Sequence, residues 1–342
     1  MPSLRDLGEF EVLRRLAAAR ARGSGVIVDA GDDAAVLEPR PGLDLVATTD
    51  AFVEGRHVLP EWIAPRALGA RLAAANLSDL AAMAATPRWA LLSLGLRAEH
   101  DVHELLSMQR GLAETLERCG AALVGGNLTA VEGAEWFSLA LLGEVARPRV
   151  WTRSGARPGD LIAVTGMPGR AGAALRLVSA RGAEARAEAW RPLLEAWLEP
   201  EPRVGFAGAL AATGAVTAAI DLSDGVAGDL AHLCEASGLG AELDAAAWPS
   251  DPQLERAAET FGVPVSELWL GPSDDYELLL AVDPAARDGC TRVAAAHGVP
   301  LAFAGRFTES PGELMLRERD GARRPIVAVG FDHFGPAPNP GR

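Results

Sequence analysis

Read for the spacing of its apolar residues, the chain falls into short β-type runs and helical stretches in mixed order. Phe10, Leu13, Leu16 and Ala17 recur at helical spacing and predict a first helix over 8–22. Three strands follow at 26–28, 34–37 and 43–49, separated by turns at Gly31-Asp32-Asp33 and Pro39-Arg40-Pro41-Gly42. Residues 65–85 are almost entirely apolar, interrupted at the centre by Asn76, Ser78 and Asp79, which predicts a buried helix with proline in its first turn. A strand at 89–96, a helix at 101–119 stopped by Gly120, a strand at 121–124 closed by the Gly125-Gly126 turn, and a strand at 136–145 complete the first half.

The composition changes at 146–160, ARPRVWTRSGARPGD, where four arginines, two prolines and two glycines mark a domain boundary. The predicted division is 1–148 and 149–342. Beyond it come a buried strand at 161–165, helices to about Trp197, and a strand at 216–220. That strand delivers Asp221-Leu222-Ser223-Asp224-Gly225 to the start of a helix. A third acidic turn, Gly271-Pro272-Ser273-Asp274-Asp275-Tyr276, precedes a strand at 277–282, and a further strand is expected at 301–307. Strands and helices mixed in this order predict an α+β protein, with helices packed on one face of a sheet.

The 342 residues favour two domains over one core. The formal charge of −14, with no run of basic residues, argues against nucleic acid or an anionic membrane as partner. All 32 basic residues are arginine. A P-loop, a Schiff base and pyridoxal phosphate attachment, which need lysine, are therefore excluded. Cys119, Cys234 and Cys290 lie far apart in apolar helical patterns and read as reduced packing residues of a cytoplasmic protein. The charged, amphipathic start MPSLRDLGEFEVLRRL does not read as a signal peptide. The uncharged run 204–220 approaches membrane-span length, but Gly214 and the acid that follows predict a helix, a break and a buried strand.

Oxygen ligands gather at strand ends. Thr48, Thr49 and Asp50 close the third predicted strand, and such hydroxyl and carboxylate oxygens suit Mg2+; solvated turn acids are the alternative. An ionised Asp79 inside an apolar helix needs company, either a cation or a neighbouring arginine, and Asn76 three residues earlier shares its face. Asp221 and Asp224 at a helix start fit a cation beside a phosphate, or ordinary capping. The arginines of 146–160 are the best phosphate clamps in a lysine-free chain, or else the solvated side chains of a linker.

The ordered series GEFEVL, GDDAAVL, TTDAFVEGRHV, NLSDLAAMAATPRWALLSL, GGNLT, TRSGARPGD, IDLSDGVAGDL, DDYELL and GFDHF resembles the thiamine-monophosphate kinase family. That family lies within the aminoimidazole-ribonucleotide-synthetase-like superfamily, and the resemblance spans nearly the whole chain. It implies a PurM-like fold: an N-terminal mixed sheet with helices on one face, which binds ATP and Mg2+ and dimerises, and a C-terminal α/β sandwich domain that completes the substrate site. The implied reaction is transfer of the γ-phosphoryl group of ATP to the phosphate of thiamine monophosphate, with several Mg2+ ions, in a homodimer. Carried over by position, Asp32, Thr48, Thr49, Asp50, Asp79, Asn127, Asp221 and Asp224 would hold metal, with Asp50, Asp79 and Asp221 acting in catalysis through it. Gly126, Asn127, Arg153 and Ser223 would contact ATP, and His57, Asp274 and Phe331 the thiamine moiety.

Departures from the family pattern cluster at the acceptor end. Pro272-Ser273-Asp274 replaces a usual Gly-Gly-Glu, Phe331 a usual tryptophan or tyrosine, and Arg56 a small or uncharged residue; Asn127 stands where many relatives carry aspartate. An amidine ligase of the superfamily, a kinase of another phosphorylated acceptor, and a non-catalytic ATP-binding regulator are the competing readings. Selenophosphate synthetase and the hydrogenase-maturation dehydratase would want cysteines near the N- and C-termini, whereas the cysteines here are at 119, 234 and 290.

Overall fold

The computed structural model describes residues 2–18, 23–30 and 32–327, which divide into two compact units, Met1–Val150 and Trp151–Arg342. Phe331 lies outside the described residues.

The first unit opens with helices α1 (Leu4–Leu7) and α2 (Glu9–Ala18) and the strand pair β1 (Val26–Val28) and β2 (Val36–Leu37). Then come β3 (Asp44–Val53), α3 (Pro65–Ala82), β4 (Thr86–Leu96), α4 (Val102–Arg118), β5 (Ala122–Ala130) and β6 (Trp136–Val145). Strand β6 pairs antiparallel with both β3 and β4, and β5 joins β4 in parallel, giving the order β3-β6-β4-β5. Helix α3 packs on one face of this sheet, with Leu72, Leu77 and Leu80 fully buried. Each such side chain contributes roughly 1.5–3 kcal/mol of burial energy.

Among the described residues no helix covers the other face, and the β1–β2 pair packs against one end of it through Val26 and Leu37 beside Trp89, Ala122 and Leu142. On β3 the burial alternates, leaving Leu45, Ala47, Thr49 and Ala51 exposed, while Trp136, Ser138, Ala140 and Leu142 of β6 are half-buried. Period-two geometry puts these residues on one side and Thr48 and Asp50 on the other.

Two expectations need correction. Thr48, Thr49 and Asp50 are not at a strand end: β3 continues to Val53, because ten register pairs with β6 keep it in the sheet. The diglycine is not a turn either. Gly125 and Gly126 lie inside β5, and a Cβ on Gly126 would sit 1.9 Å from the Leu92 carbonyl oxygen, so glycine serves close strand approach there.

The second unit runs β7 (Leu161–Thr165), α5 (Arg170–Arg181), α6 (Arg191–Leu198), α7 (Val204–Ala211), β8 (Val216–Leu222) and α8 (Val226–Ser237). It continues with β9 (Gly240–Asp244), α9 (Pro252–Phe261), α10 (Val265–Leu270), β10 (Glu277–Val282), α11 (Arg287–Ala296), β11 (Leu301–Thr308), β12 (Leu314–Arg317) and β13 (Arg323–Pro325). Its seven strands take the order β13-β12-β9-β11-β7-β10-β8. Ile162, Val164, Leu230, Leu243, Leu279 and Phe307 belong to its core, with Trp248 stacked on Trp269 at 4.0 Å. The apolar run after Pro202 resolves into α7, a left-handed Gly214 and β8, and no helix among the described residues is long and apolar enough to cross a membrane.

Strand β10, next to the edge strand β8, is antiparallel to both β7 and β8. The start of β10 therefore meets the ends of the other two, and three turns gather at one edge of the sheet: the one after Thr165, the one holding Asp221 to Gly225, and the one from Gly271 to Tyr276.

Candidate active site

In the first unit a carboxylate pair forms across β3 and α3. Thr48 Oγ1 donates to Asp79 Oδ2 at 2.5 Å, and the Asp50 backbone N–H donates to Asn76 Oδ1 at 3.2 Å. Asn76 is fully buried and its Nδ2 donates to the Leu72 carbonyl, so its orientation is fixed. Burial pushes the Asp50 carboxyl up to about 6, and repulsion from Asp79 adds to the shift. Two acids held close in a poorly solvated place are what a hard cation would relieve. The donor set therefore fits Mg2+.

Thr49 and Asn127 fall elsewhere. Thr49 points to the open face of the sheet, where its hydroxyl donates to the Leu139 carbonyl at 3.0 Å. The registers Ala51↔Ser138, Ser93↔Ser138 and Ser93↔Asn127 align Asn127 with that same face. Gly126, in line with Leu92, Leu139 and Asp50, shares the carboxylate face. Asp32 is exposed in the turn before β2, and its Oδ1 accepts the Asp33 N–H.

His57 follows β3. Its Nδ1 accepts the Val53 N–H at 3.2 Å and its ring stacks on Phe52 at 6.1 Å, which leaves the ring proton on Nε2. A cavity of about 470 Å³, lined in part by Glu54, Val58, Ile63, Arg97, His100 and Glu135, lies in this unit and left no sign in the sequence.

In the second unit Asp221 is the penultimate residue of β8, and Ser223 and Asp224 form the turn before α8. Asp229, one turn into α8, accepts the N–H groups of Ser223 and Asp224 on one oxygen, each at 3.2 Å. Burial raises the Asp229 carboxyl to about 7; the two N–H bonds and the nearby Arg153 charge oppose the shift. Arg153 is exposed, so its guanidinium is open to an anion. In the sequence Asp229 stands out only as part of the IDLSDGVAGDL motif, and its spacing from Ser223 is the available signal. Asp274 sits on the neighbouring turn beside Asp275, whose carboxyl burial pushes up to about 6. Among the described residues no three His, Cys, Asp or Glu side chains form a ready metal cage; the acids stand as a pair in one unit and a turn in the other.

Two family models match the chain: AIR synthase related protein, N-terminal domain, over residues 31–145, and the corresponding C-terminal domain over 157–316. The thiamine-monophosphate kinase of Escherichia coli K12 is 38% identical over 334 residues, covering 96% of this chain and 98% of that protein. That of Caulobacter vibrioides is 36% identical over 308 residues, covering 89% and 85%. Among solved structures, thiamine-monophosphate kinase from Stenotrophomonas maltophilia K279a superposes with a TM-score of 0.81 at 31% identity, over 92% of this chain and 97% of that one. AaThiL complexed with AMPPCP and TMP gives 0.76 at 28%, over 98% and 99%. E. coli HypE, at 20% identity and a TM-score of 0.77, shares the fold. With both domain models matched and relatives aligned from end to end, the chain belongs to the thiamine-monophosphate kinase family of AIR synthase related proteins.

Proposed function

We propose that this protein transfers the γ-phosphoryl group of ATP to the phosphate of thiamine monophosphate, yielding thiamine diphosphate and ADP. The observation that carries the reading is the half-buried Asp50–Asp79 pair, held by Thr48 and Asn76, in a chain of this family. Asp50, Asp79, Thr48 and Asp32 in the first unit, and Asp221 and Asp224 in the second, would hold Mg2+; Thr49 and Asn127, facing the other way, are left out of the side-chain set. Bound Mg2+ supplies charge neutralisation between two phosphate anions and a template for in-line transfer.

The chain's own residues then have positioning work. An acceptor phosphate is already ionised near neutral pH, so no strong general base is required. Asn76 and Thr48 keep the two carboxylates oriented. Asp229 holds the main chain of Ser223 and Asp224, and Arg153, Ser223 and Gly126 are assigned to ATP. His57 offers a fixed Nε2–H and Asp274 a carboxylate to the thiamine moiety, together with Phe331.

The open face of the first sheet, with Leu45 and Leu91 exposed, supports a homodimer formed through it. The three cysteines are free, which agrees with a cytoplasmic protein. The reading is tested with ATP labelled in the γ-phosphate: label should appear in the terminal phosphate of thiamine diphosphate, and only when Mg2+ is supplied. Label released solely as inorganic phosphate would contradict it.

A further inference from the structure

The turn from Gly271 to Tyr276 is clasped from two sides. Helix α5 starts after Gly169, which lies in the left-handed region at φ 96° and has no side chain to cap the helix. Its first N–H groups are satisfied from the turn instead. Asp275 Oδ2 accepts the Gly169 N–H at 2.6 Å, Asp275 Oδ1 accepts the Ala171 N–H at 3.0 Å, and Ser273 Oγ accepts the Gly172 N–H at 2.8 Å. Ser273 is 5% exposed.

The fit leaves no slack. A Cβ on Gly172 would meet the Pro272 carbonyl oxygen at 2.4 Å, and one on Gly225, beside Asp224, would meet the Gly271 carbonyl oxygen at 2.1 Å. Tyr276 N–H donates to the Leu222 carbonyl at 2.9 Å while its backbone sits at φ 54°, a conformation held by its surroundings. Asp274, between the two capping residues, is thus mounted on the α5 start and pressed against the turn that carries Asp224.

We infer that Ser273 and Asp275 are positioning residues that fix Asp274 for the acceptor, so that the capping of α5 sets acceptor affinity. The inference rests on the kinase reading above and on Asp274 as an acceptor contact. Pro272 limits the turn from one side by its fixed φ, and the three hydrogen bonds limit it from the other. Both capping side chains bond to the α5 start and not to Ser223 or Asp224, so loosening them displaces the Asp274 carboxylate first.

The test is steady-state kinetics of the full chain, varying thiamine monophosphate and ATP separately. Ser273→Ala removes one cap, and losing one such cap corresponds to about a five-fold rise in KM for thiamine monophosphate. The KM for ATP and kcat should stay within about two-fold. Ser273→Thr keeps the hydroxyl and should return toward wild type, and Gly172→Ala, which displaces the turn, should reproduce the acceptor defect. Should Ser273→Ala fail to fold, Asp275→Asn, with one accepting oxygen fewer, is read in the same way. Wild-type turnover with an unmoved acceptor KM in these variants, or an equal rise in both KM values, overturns the inference alone. Absence of wild-type turnover overturns the kinase reading, and the inference with it.

Discussion

Replacing Asp50 by asparagine should stabilise the metal-free protein while abolishing its activity. The Asp50 carboxyl is raised from 3.8 to about 6, chiefly by burial and then by Asp79. A shift of that size corresponds to about 3 kcal/mol between the two protonation states. The sign follows from linkage: the folded state keeps a proton that the unfolded chain releases, so folding loses stability as pH rises from about 4 to about 6 and stays weakened above. The asparagine side chain carries no charge to desolvate. In a chelator at pH 8, Asp50→Asn should therefore gain about 2–3 kcal/mol, or roughly 5–10 °C of melting temperature for a unit of this size. Near pH 3 the gain should vanish, because the wild-type carboxyl is largely neutral in both states. Thermal unfolding with and without Mg2+ at the two pH values reads this directly. The wild type should be stabilised by Mg2+ and the variant much less. A variant that is less stable than wild type at both pH values, or that turns over normally, would refute the reasoning.

The remaining predictions concern single contacts. Gly126→Ala places a methyl 1.9 Å from the Leu92 carbonyl and should destabilise the β4–β5 pairing by at least about 2 kcal/mol, read by chemical denaturation. Asp229→Ala frees the Ser223 and Asp224 N–H groups and should raise the KM for ATP about ten-fold or more with little change in the acceptor KM. Leu91→Glu puts a charge on the uncovered sheet face and should shift sedimentation from dimer to monomer while leaving the circular dichroism spectrum unchanged.

Much of this architecture is legible in the amino acids. The apolar stretch after Pro65 located α3, the Asp101 cap and Gly120 located α4, and the apolar strand-length runs located β6, β7 and β10, because those segments meet one packing environment along their length. Boundaries failed where pairing overrode local chemistry. The hydroxyl and acid residues Thr48 to Asp50 look like a strand end, yet β6 supplies partners beyond them. Gly125-Gly126 looks like a turn, yet the narrow gap to Leu92 is what demands glycine. The same register decides which ligands can meet. Neighbours in sequence such as Thr48 and Thr49 face opposite ways, a fact that a motif conceals. Asn76 was visible as a face-mate of Asp79 at a spacing of three, whereas its bond to the Asp50 N–H depends on how α3 sits on β3. The capping of α5 by Ser273 and Asp275 joins residues more than a hundred positions apart, and no local pattern announces it.

The central claim is that a lysine-free set of carboxylates transfers a phosphoryl group onto a phosphate. It is tested most directly by giving the purified protein ATP and Mg2+ with either thiamine monophosphate or thiamine. The account predicts thiamine diphosphate and ADP in equal amounts from thiamine monophosphate, and no phosphorylated product from thiamine. Product from thiamine, or ATP binding with no transfer to thiamine monophosphate, would contradict it.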